Sequence, residues 1–482
     1  MSATRVEHDS LGPVEVPADA YWGANTQRAL ENFPISGRGI GTYPELVAAL
    51  ALVKQAAARA NAEIGVLDPA IAAEIDATCQ EIADGSLHDQ FVVDLIQGGA
   101  GTSTNMNANE VIANRTLERL GRAHGRYDVI HPLDHVNRSQ STNDVYPTAV
   151  KLALTTGLQR LIAEHALLAA AFRSKGAEFR DHVKIGRTQL QDAVPMTLGQ
   201  EFTAFAVTME EDGLRLGETI PLLAEINLGA TAIGTGITAS PGYAAAVVRH
   251  LATATGLPLV TAADLIEATS DTGVFMLVSA ALKRAAIKLS KIASDLRLLA
   301  SGPQFGFGEL HLPPRQAGSS IMPGKVNPVI PEVVNQVAFA IAGADVSITM
   351  AADNGQLQLN AFEPLIASSL LQGITWLTNA CRTLRVNCID GIRADAELLR
   401  TRVASSIGLV TALTPRIGYS TAAQIAHEAL ETGCDVRTAI VGRGLLSAEE
   451  YDAITDPRLL TGTAAPSARP RRRDREGRAR GE

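Results

Sequence analysis

Residues 282–299 read LKRAAIKLSKIASDLRLL, and their apolar side chains recur at alternating steps of three and four. This spacing draws one apolar stripe along an α-helix and leaves the charged side chains on its other faces. Ser301, Gly302 and Pro303 then end the run. We therefore predict a long helix packed lengthwise against others through Leu282, Ala285, Leu289, Ile292, Leu296 and Leu299.

Further helical patterns flank this stretch. Pro331 and Glu332 are typical of a first helical turn, and no strand alternation of comparable length competes. Aromatic residues make up only 4% of the chain against 46% hydrophobic residues, a composition that suits close helix packing. The predicted fold is mainly α, with a central bundle of long helices. A second apolar seam consists of Leu154, Leu158, Leu161, Leu168 and Phe172.

The chain divides by composition into four predicted parts. Residues 1–142 form an N-terminal domain with Gly-rich turns, and residues 143–396 form the helical bundle domain. Residues 397–465 form a small helical C-terminal domain. The tail, residues 466–482, is rich in Arg, Pro and Ala, and we expect it to be disordered because it cannot bury enough apolar surface.

Composition also excludes several classes of protein. The net charge of −9 and the lack of a basic patch argue against nucleic-acid binding. No apolar run reaches the length of a membrane span, and residues 1–13 do not resemble a signal peptide, so we expect a soluble protein. Four cysteines without metal-site spacing indicate a reduced, cytoplasmic setting: Cys79, Cys381, Cys388 and Cys434.

The segment 318–328 reads GSSIMPGKVNP and combines two hydroxyls, a cation and an amide in one short loop. Gly318 and Gly324 permit backbone angles closed to other residues, so we expect the hydroxyls of Ser319 and Ser320 to move while staying near Lys325. Catalytic groups are often carried on such loops. By composition alone, an ordinary Ser/Gly/Pro turn is the favoured alternative for this segment.

Two other segments are dense in uncharged hydrogen-bond donors. The first comprises 98–109 (GGAGTSTNMNAN) together with 134–144 (DHVNRSQSTND), and the second is 186–195 (GRTQLQDAVP). The glycines of the first resemble a phosphate loop, but the Gly-Lys-Ser/Thr of a P-loop is missing. Clustered hydroxyls and amides suit a carboxylate ligand, because they donate several hydrogen bonds without a buried counter-charge.

These three segments resemble, in order, the three signature regions of the aspartase/fumarase superfamily of lyases, and 16–23 (VPADAYWG) and 354–360 (NGQLQLN) also match. The resemblance covers nearly the whole chain. It implies a three-domain fold and a homotetramer whose central helices form one core. It also implies composite active sites, each built from three subunits.

Within the superfamily, residues 97–109, 139–144 and 328–336 resemble the aspartase branch, which releases ammonia from L-aspartate to give fumarate. Fumarases have a His where this chain has Gln189. Glutamine cannot take up a proton near neutral pH, and ammonia needs less help to leave than hydroxide. A fumarate hydratase acting on malate and a non-enzymatic helical oligomer of the same fold remain the alternatives.

The resemblance also implies residue roles. Ser319 would be the base that removes a proton next to the β-carboxylate, giving an aci-carboxylate intermediate. No organic cofactor is needed, because the substrate carboxylate accepts the electrons. His131 and His135 suggest a metal, but Pro132 lies between them and we predict none. The substrate-binding set is Thr102, Ser141, Thr142 and Ser320 for the β-carboxylate, Lys325 and Asn327 for the α-carboxylate, Asn143, Thr188 and Gln189 near the amino group, and Ile321.

Overall fold

The computed structural model describes residues 3–462, and helices dominate them, which confirms the predicted mainly α class. The helices are α1 (Ala24–Asn32), α2 (Pro44–Glu63), α3 (Pro69–Ala83), α4 (Thr102–Arg119), α5 (Thr142–Glu178), α6 (Leu198–Gly217), α7 (Ile220–Leu223), α8 (Tyr243–Thr255), α9 (Leu265–Ser270), α10 (Gly273–Leu299), α11 (Val329–Asp353), α12 (Glu363–Asn387), α13 (Ala396–Ala404), α14 (Val410–Ile417), α15 (Tyr419–Thr432), α16 (Val436–Gly442), α17 (Ala448–Ile454) and α18 (Pro457–Leu460).

The strands form four two-stranded pairs. The first two pairs are antiparallel hairpins, the third pair is parallel and the fourth is antiparallel. In the second hairpin, the two residues between Thr188 and Gln191 form the turn. The pairs are β1 (Thr4–Asp9) with β2 (Gly12–Pro17), β3 (Val183–Thr188) with β4 (Gln191–Thr197), β5 (Glu225–Ile226) with β6 (Val260–Thr261), and β7 (Leu310–His311) with β8 (Arg393–Ala394).

The described residues separate into two compact units, and each unit is assembled from three stretches of chain. Unit 1 comprises the described residues up to Leu168, Thr208–Ser294 and Val329–Arg385, and unit 2 comprises Ala169–Val207, Asp295–Pro328 and the described residues from Val386. The predicted domain boundaries at residues 142 and 396 stay a prediction. The predicted disordered tail, residues 466–482, lies outside the described residues.

Both apolar seams read from the sequence are buried, as predicted. In α10 every member of the stripe has at most 6% of its surface exposed, and in α5 the five seam residues are fully buried. Within unit 2, four phenylalanine rings lie 5.2–6.1 Å apart between centroids. Such tilted and edge-on pairs stabilise a core beyond the area they bury. The rings are those of Phe172, Phe179, Phe202 and Phe205.

Helix α11 differs from the prediction in two ways. It begins at Val329, two residues before Pro331, since proline is well tolerated in a first helical turn. It is also long and apolar enough, by length and composition alone, to cross a membrane, so the expectation that no such run exists was wrong. Two of its polar side chains bind α10: the Asn335 amide donates to Ser290, and Asp345 pairs with Lys283.

The last helices of the chain have a core of their own. Residues of α14 to α17 contribute nine buried apolar side chains to one cluster, which includes Leu413, Ile425, Ile440 and Tyr451. Side-chain caps define several of the helix starts. Ser447 and Glu450 form a reciprocal capping box at α17, which satisfies two backbone donors that the helix leaves free.

Candidate active site

The first group of predicted site residues lies where α4 and α5 begin, in unit 1. Thr102 is the first residue of α4, and its hydroxyl donates to the Gly99 carbonyl at 2.7 Å. One turn further, the Asn105 amide donates to Thr142 Oγ1, at the first residue of α5, at 3.2 Å. The two helix N-termini therefore lie close together, and their partial positive charges suit an anionic ligand.

A glycine makes the approach between these helices possible. Gly101 has a φ of +89°, which side chains disfavour, and a Cβ at this position would collide with the ring of Tyr146 on α5. No side chain caps the start of α4, because its N-cap position is Gly101.

The hydroxyls of Ser141 and Thr142 both act as acceptors toward the protein. Ser141 Oγ accepts from the Asn143 backbone N–H at 3.3 Å, and Thr142 Oγ1 accepts from the Asn105 amide. Each hydroxyl therefore keeps its own hydrogen for a ligand. The Asn143 side chain instead donates to the Ala232 carbonyl at 2.7 Å, which fixes its orientation.

Asp144, which the sequence analysis did not assign, holds this segment in place. Its buried carboxylate accepts from the backbone N–H groups of Ser141, Gly229 and Thr231, each at 3.0 Å. Burial raises the pKa of Asp144 to about 6, and these amide donors oppose the rise. The carboxylate thus joins the start of α5 to the loop that carries residues 229–231.

A buried lysine was also missed. Lys54 on α2 is fully buried, and its ammonium donates to the side-chain oxygens of Asn105, Asn137 and Gln140. A signal was present in the sequence, because Lys54 is the only charged residue in the apolar stretch 46–58. A charge in such a stretch is costly to bury unless specific partners receive it.

The second group of predicted residues lies on the β3–β4 hairpin in unit 2. Thr188 ends β3, and Gln189 and Leu190 form its two-residue turn with φ values of +54° and +62°. Positive φ at both positions is a type I′ turn, which favours Asn-Gly and is strained for other residues.

The base of this hairpin is anchored by charge. The Arg187 guanidinium lies 4.3 Å from the centre of the Phe307 ring and pairs with Glu309 at 2.6 Å. Lys184, almost fully buried, also contacts Glu309, at 3.0 Å. Burial opposes ionisation of Glu309, but the hydrogen bonds from Arg187 and Lys184 outweigh it, so its pKa is lowered. The carboxylate therefore stays charged and fixes the strand that leads to Thr188.

The third group lies on the loop 318–328, also in unit 2. The Gly318 N–H donates to the Lys325 carbonyl at 2.7 Å, and the Asn327 amide donates to the Gly318 carbonyl at 2.9 Å, which closes the loop. Ser319 Oγ accepts from the backbone N–H groups of Ile321 at 3.2 Å and Met322 at 3.0 Å. Two amides thus point at one hydroxyl oxygen, an arrangement able to stabilise negative charge.

The two loop glycines serve different purposes. Gly324 has a φ of +82°. Gly318 does not have a positive φ. A Cβ at Gly318 would lie 2.6 Å from the Lys325 carbonyl oxygen, and close approach of backbone is therefore what requires glycine. A cavity of about 430 Å³ lies beside the loop, lined by Ser319, Met322 and Lys325 among others.

The structure brings the predicted residues together as three separate groups. Unit 1 contains Thr102 with Ser141, Thr142 and Asn143. Within the described part of unit 2, no hydrogen bond links the turn 188–190 to the loop 318–328. Ile321 is 83% exposed, and the Lys325 ammonium has no hydrogen-bond partner among residues 3–462. The loop therefore presents an apolar side chain and a cation outward.

The two histidines that suggested a metal bind backbone instead. His131 Nδ1 accepts from the N–H groups of Leu133 and Asp134 at 3.1 Å, and His135 Nδ1 accepts from the His131 N–H at 2.9 Å. Pro132–Val136 is one turn of π-type helix, so Pro132 begins a turn rather than interrupting a helix. Among residues 3–462, no group of three or more His, Cys, Asp or Glu side chains is placed to hold a metal ion.

Comparison with known proteins gives consistent matches along the chain. A family model described as lyase matches residues 12–343, and one described as the fumarase C C-terminus matches residues 409–462. An aspartate ammonia-lyase of Pseudomonas canavaninivorans is 58% identical over 454 residues, which cover 94% of this chain and 96% of that protein. An aspartate ammonia-lyase of Escherichia coli K12 is 51% identical, covering 93% and 94%.

Solved structures agree. A fumarate lyase:delta crystallin from Brucella melitensis bound to cobalt is 54% identical, with a TM-score of 0.93 over 95% of this chain and all of that chain. A class II fumarase from Schistosoma mansoni is 33% identical, with a TM-score of 0.91 over 96% of this chain and all of that one. With a lyase model matching most of its length and relatives more than half identical, the chain belongs to the aspartase/fumarase superfamily of lyases.

Proposed function

We propose that this chain is an aspartate ammonia-lyase, a carbon–nitrogen lyase that converts L-aspartate reversibly into fumarate and ammonia. The observation that carries the proposal is the match to aspartate ammonia-lyases at 51–58% identity over 93–97% of the chain. Gln189 supports it, because an amide cannot supply the proton that a leaving hydroxide requires. The class II fumarase relative is less similar, at 33% identity.

The reaction begins with Ser319. Its alkoxide takes the proton from the carbon next to the β-carboxylate, and the pair of electrons moves into that carboxylate to form the aci-carboxylate. The N–H groups of Ile321 and Met322, which already donate to Oγ, stabilise the alkoxide before the proton is transferred. Loss of ammonia from the neighbouring carbon then completes the double bond of fumarate.

The two carboxylates of the substrate need different hydrogen-bond donors. The β-carboxylate gains a second negative charge during the reaction, so it is received by hydroxyl donors that strengthen as the charge grows. These are Thr102, Ser141, Thr142 and Ser320. The α-carboxylate keeps its single charge and is received by the Lys325 ammonium and by Asn327. Asn143, Thr188 and Gln189 lie near the amino group, and Ile321 excludes water.

The complete enzyme is a homotetramer with composite active sites. Helix α11 supports this assembly, because only 33% of its most apolar 18-residue stretch is buried within one chain. Its exposed large apolar side chains include Val333, Phe339, Val346 and Met350. A surface of this kind is costly in water unless a further protein surface covers it, and the central helices of other subunits would do so.

The setting proposed for the enzyme is the cytoplasm. All four cysteines are free thiols, and three of them are buried. Burial raises the pKa of Cys388 to about 12, which keeps this thiol protonated and unreactive. Chemistry of the proposed kind needs no organic cofactor, since the substrate carboxylate itself accepts the electron pair.

One measurement tests the proposal. Fumarate absorbance is followed after L-aspartate or L-malate is added to the purified protein, at equal concentrations. We expect faster formation of fumarate from L-aspartate. Faster formation from L-malate would favour a fumarate hydratase, and no fumarate from either substrate would favour a non-enzymatic oligomer of the same fold.

A further inference from the structure

A buried ammonium is connected through Asn105 to Thr142, one of the hydroxyls proposed to bind the β-carboxylate. The Lys54 Nζ donates to Asn105 Oδ1 at 2.6 Å, to Asn137 Oδ1 at 2.9 Å and to Gln140 Oε1 at 2.9 Å. A protonated lysine has three N–H donors and no acceptor, so each partner must turn an oxygen toward it. All three acceptors are satisfied only while Lys54 carries its proton.

This cation determines the direction of the hydrogen bonds above it. Because Asn105 turns its oxygen to Lys54, its amide nitrogen is left to donate to Thr142 Oγ1 and to Asn137 Oδ1, each at 3.2 Å. Thr142 Oγ1 accepts at that point and keeps its own hydrogen, which makes no hydrogen bond with any residue between 3 and 462. The chain Lys54–Asn105–Thr142 therefore ends in an outward O–H donor.

Few charged groups act on the pKa of Lys54. Burial lowers its pKa to about 7, while the charges of Asp144 on α5 and Cys79 on α3 oppose the shift. All three hydrogen-bond partners of the ammonium are neutral amides, so no carboxylate pairs directly with it. The other titratable or charged groups that act on Cys79 and Asp144 are Arg59 on α2, Asp76 on α3 and Tyr243 on α8.

We propose, on the basis of the proposed function, that Lys54 is a positioning residue for the substrate. Through Asn105, its ammonium turns the Thr142 hydroxyl outward as a donor to the carboxylate on which negative charge accumulates. Because Asn105 lies between them, Lys54 orients the Thr142 hydroxyl without contacting the substrate itself. A dicarboxylate that binds above the cation in turn favours the protonated form of Lys54.

The first test reverses the hydrogen bond between Asn105 and Thr142 without removing the Lys54 ammonium. In Asn105→Asp the carboxylate still accepts from Lys54 but cannot donate, so Thr142 turns its O–H inward. We expect kcat for L-aspartate to fall at least about tenfold, less than the hundredfold or more that follows loss of a direct oxyanion donor. Asn114→Asp is the matched control, since Asn114 is buried on the same helix and bonds Tyr21 and Tyr127 instead.

The control variant should keep kcat within about twofold of wild type, as expected for a residue that makes no transition-state contact. Wild-type kcat in Asn105→Asp would overturn the proposal. Equal losses in both variants would also overturn it, because they would reflect a general response of α4 to a buried carboxylate.

The second test measures how many protons the protein takes up when a ligand binds, rather than turnover. Binding of succinate, a saturated dicarboxylate, is followed at pH 8 by calorimetry in buffers of different ionisation enthalpy. Because the pKa of Lys54 lies near 7, the group is largely neutral at pH 8 and takes up a proton when a dianion raises its pKa. Wild type should show this uptake, and Lys54→Met should lose it.

Equal proton uptake in wild type and Lys54→Met would overturn the proposal. If Lys54→Met does not fold, uptake is compared between Asn105→Asp, whose new carboxylate keeps Lys54 protonated and so abolishes uptake, and Asn114→Asp, which keeps it. An inactive wild type would overturn the proposed function instead, and the succinate result would still decide whether Lys54 responds to a dicarboxylate.

Discussion

The helix starts of unit 1 and the loops of unit 2 carry proposed site residues in opposite ways. Ser141 and Thr142 begin a 37-residue helix, and a buried network of amides, Lys54 and Asp144 supports them. Ser319 and Gln189 lie on a loop and a turn whose neighbouring side chains are largely exposed. The proposed binding groups of unit 1 are thus preorganised by the core, whereas the proposed base lies on a connecting segment.

This difference has an energetic consequence. A substitution in the unit 1 network removes a buried hydrogen bond, so it lowers stability together with activity. A substitution in the loop 318–328 removes a partly exposed side chain that contributes little to the core, so it lowers activity alone. Measuring stability beside turnover therefore separates the two regions.

Ser319→Ala has the largest expected effect. Loss of the base should lower kcat at least about a thousandfold with little change in KM, because the step it removes occurs after substrate binds. The melting temperature should stay near that of wild type. Ser320→Ala is the control on the adjacent hydroxyl, and its loss of kcat should be smaller. Near-wild-type kcat in Ser319→Ala would show that another group is the base.

Lys325→Met should have the next largest effect. A charge-assisted hydrogen bond to a carboxylate is worth about 1.5–3 kcal/mol, so kcat/KM should fall roughly ten- to a hundredfold, with a rise in KM. Lys325→Arg keeps the charge and should recover part of the loss. If methionine left KM unchanged, Lys325 would not bind the α-carboxylate.

Hybrid tetramers test whether Thr188 and Ser319, which both lie in unit 2, reach one active site from different subunits. Thr188→Ala and Ser319→Ala are each expected to be inactive as homotetramers. Random mixing places neither lesion in about a quarter of the sites, so about a quarter of wild-type activity should return. Co-expression with two different tags and a mass measurement confirms the hybrids. Confirmed hybrids without activity would place both residues in one chain's site.

The sequence predicted what depends on local pattern. Spacings of three and four predicted the α5 and α10 seams, and strings rich in hydroxyls and amides indicated the three polar groups, whose roles stay a prediction. It missed Lys54 and Asp144, because the partners that make a buried charge tolerable come from distant parts of the chain. Asp144, for example, binds the N–H groups of Gly229 and Thr231, which lie more than eighty residues away.

The sequence also could not show backbone strain. The turn at Gln189 and Leu190 has none of the Asn-Gly chemistry that predicts a type I′ hairpin, so the hairpin itself was missed. The burial of β3 and the anchoring of Arg187 and Lys184 on Glu309 impose the register from outside the turn. Tertiary contacts have overridden local preference there.

The smallest expected effect comes from relieving that strain. A residue other than glycine in a left-handed conformation costs about 1 kcal/mol, and the second position of a type I′ turn is where glycine is favoured. Leu190→Gly should therefore raise the free energy of unfolding by about 0.5–1 kcal/mol. The melting temperature, measured at equal protein concentration, would report the gain.

Val194→Gly on β4 of the same hairpin is the matched control, because this position lies in a strand, where glycine destabilises by about 0.5–1 kcal/mol. Leu190 is 66% exposed within the chain and outside the proposed substrate set, so kcat should not change if the turn only connects two strands. A stabilised variant with lower kcat would instead mean that strain at Leu190 holds the Gln189 amide in its working position. A less stable variant would mean that packing of the Leu190 side chain outweighs the strain.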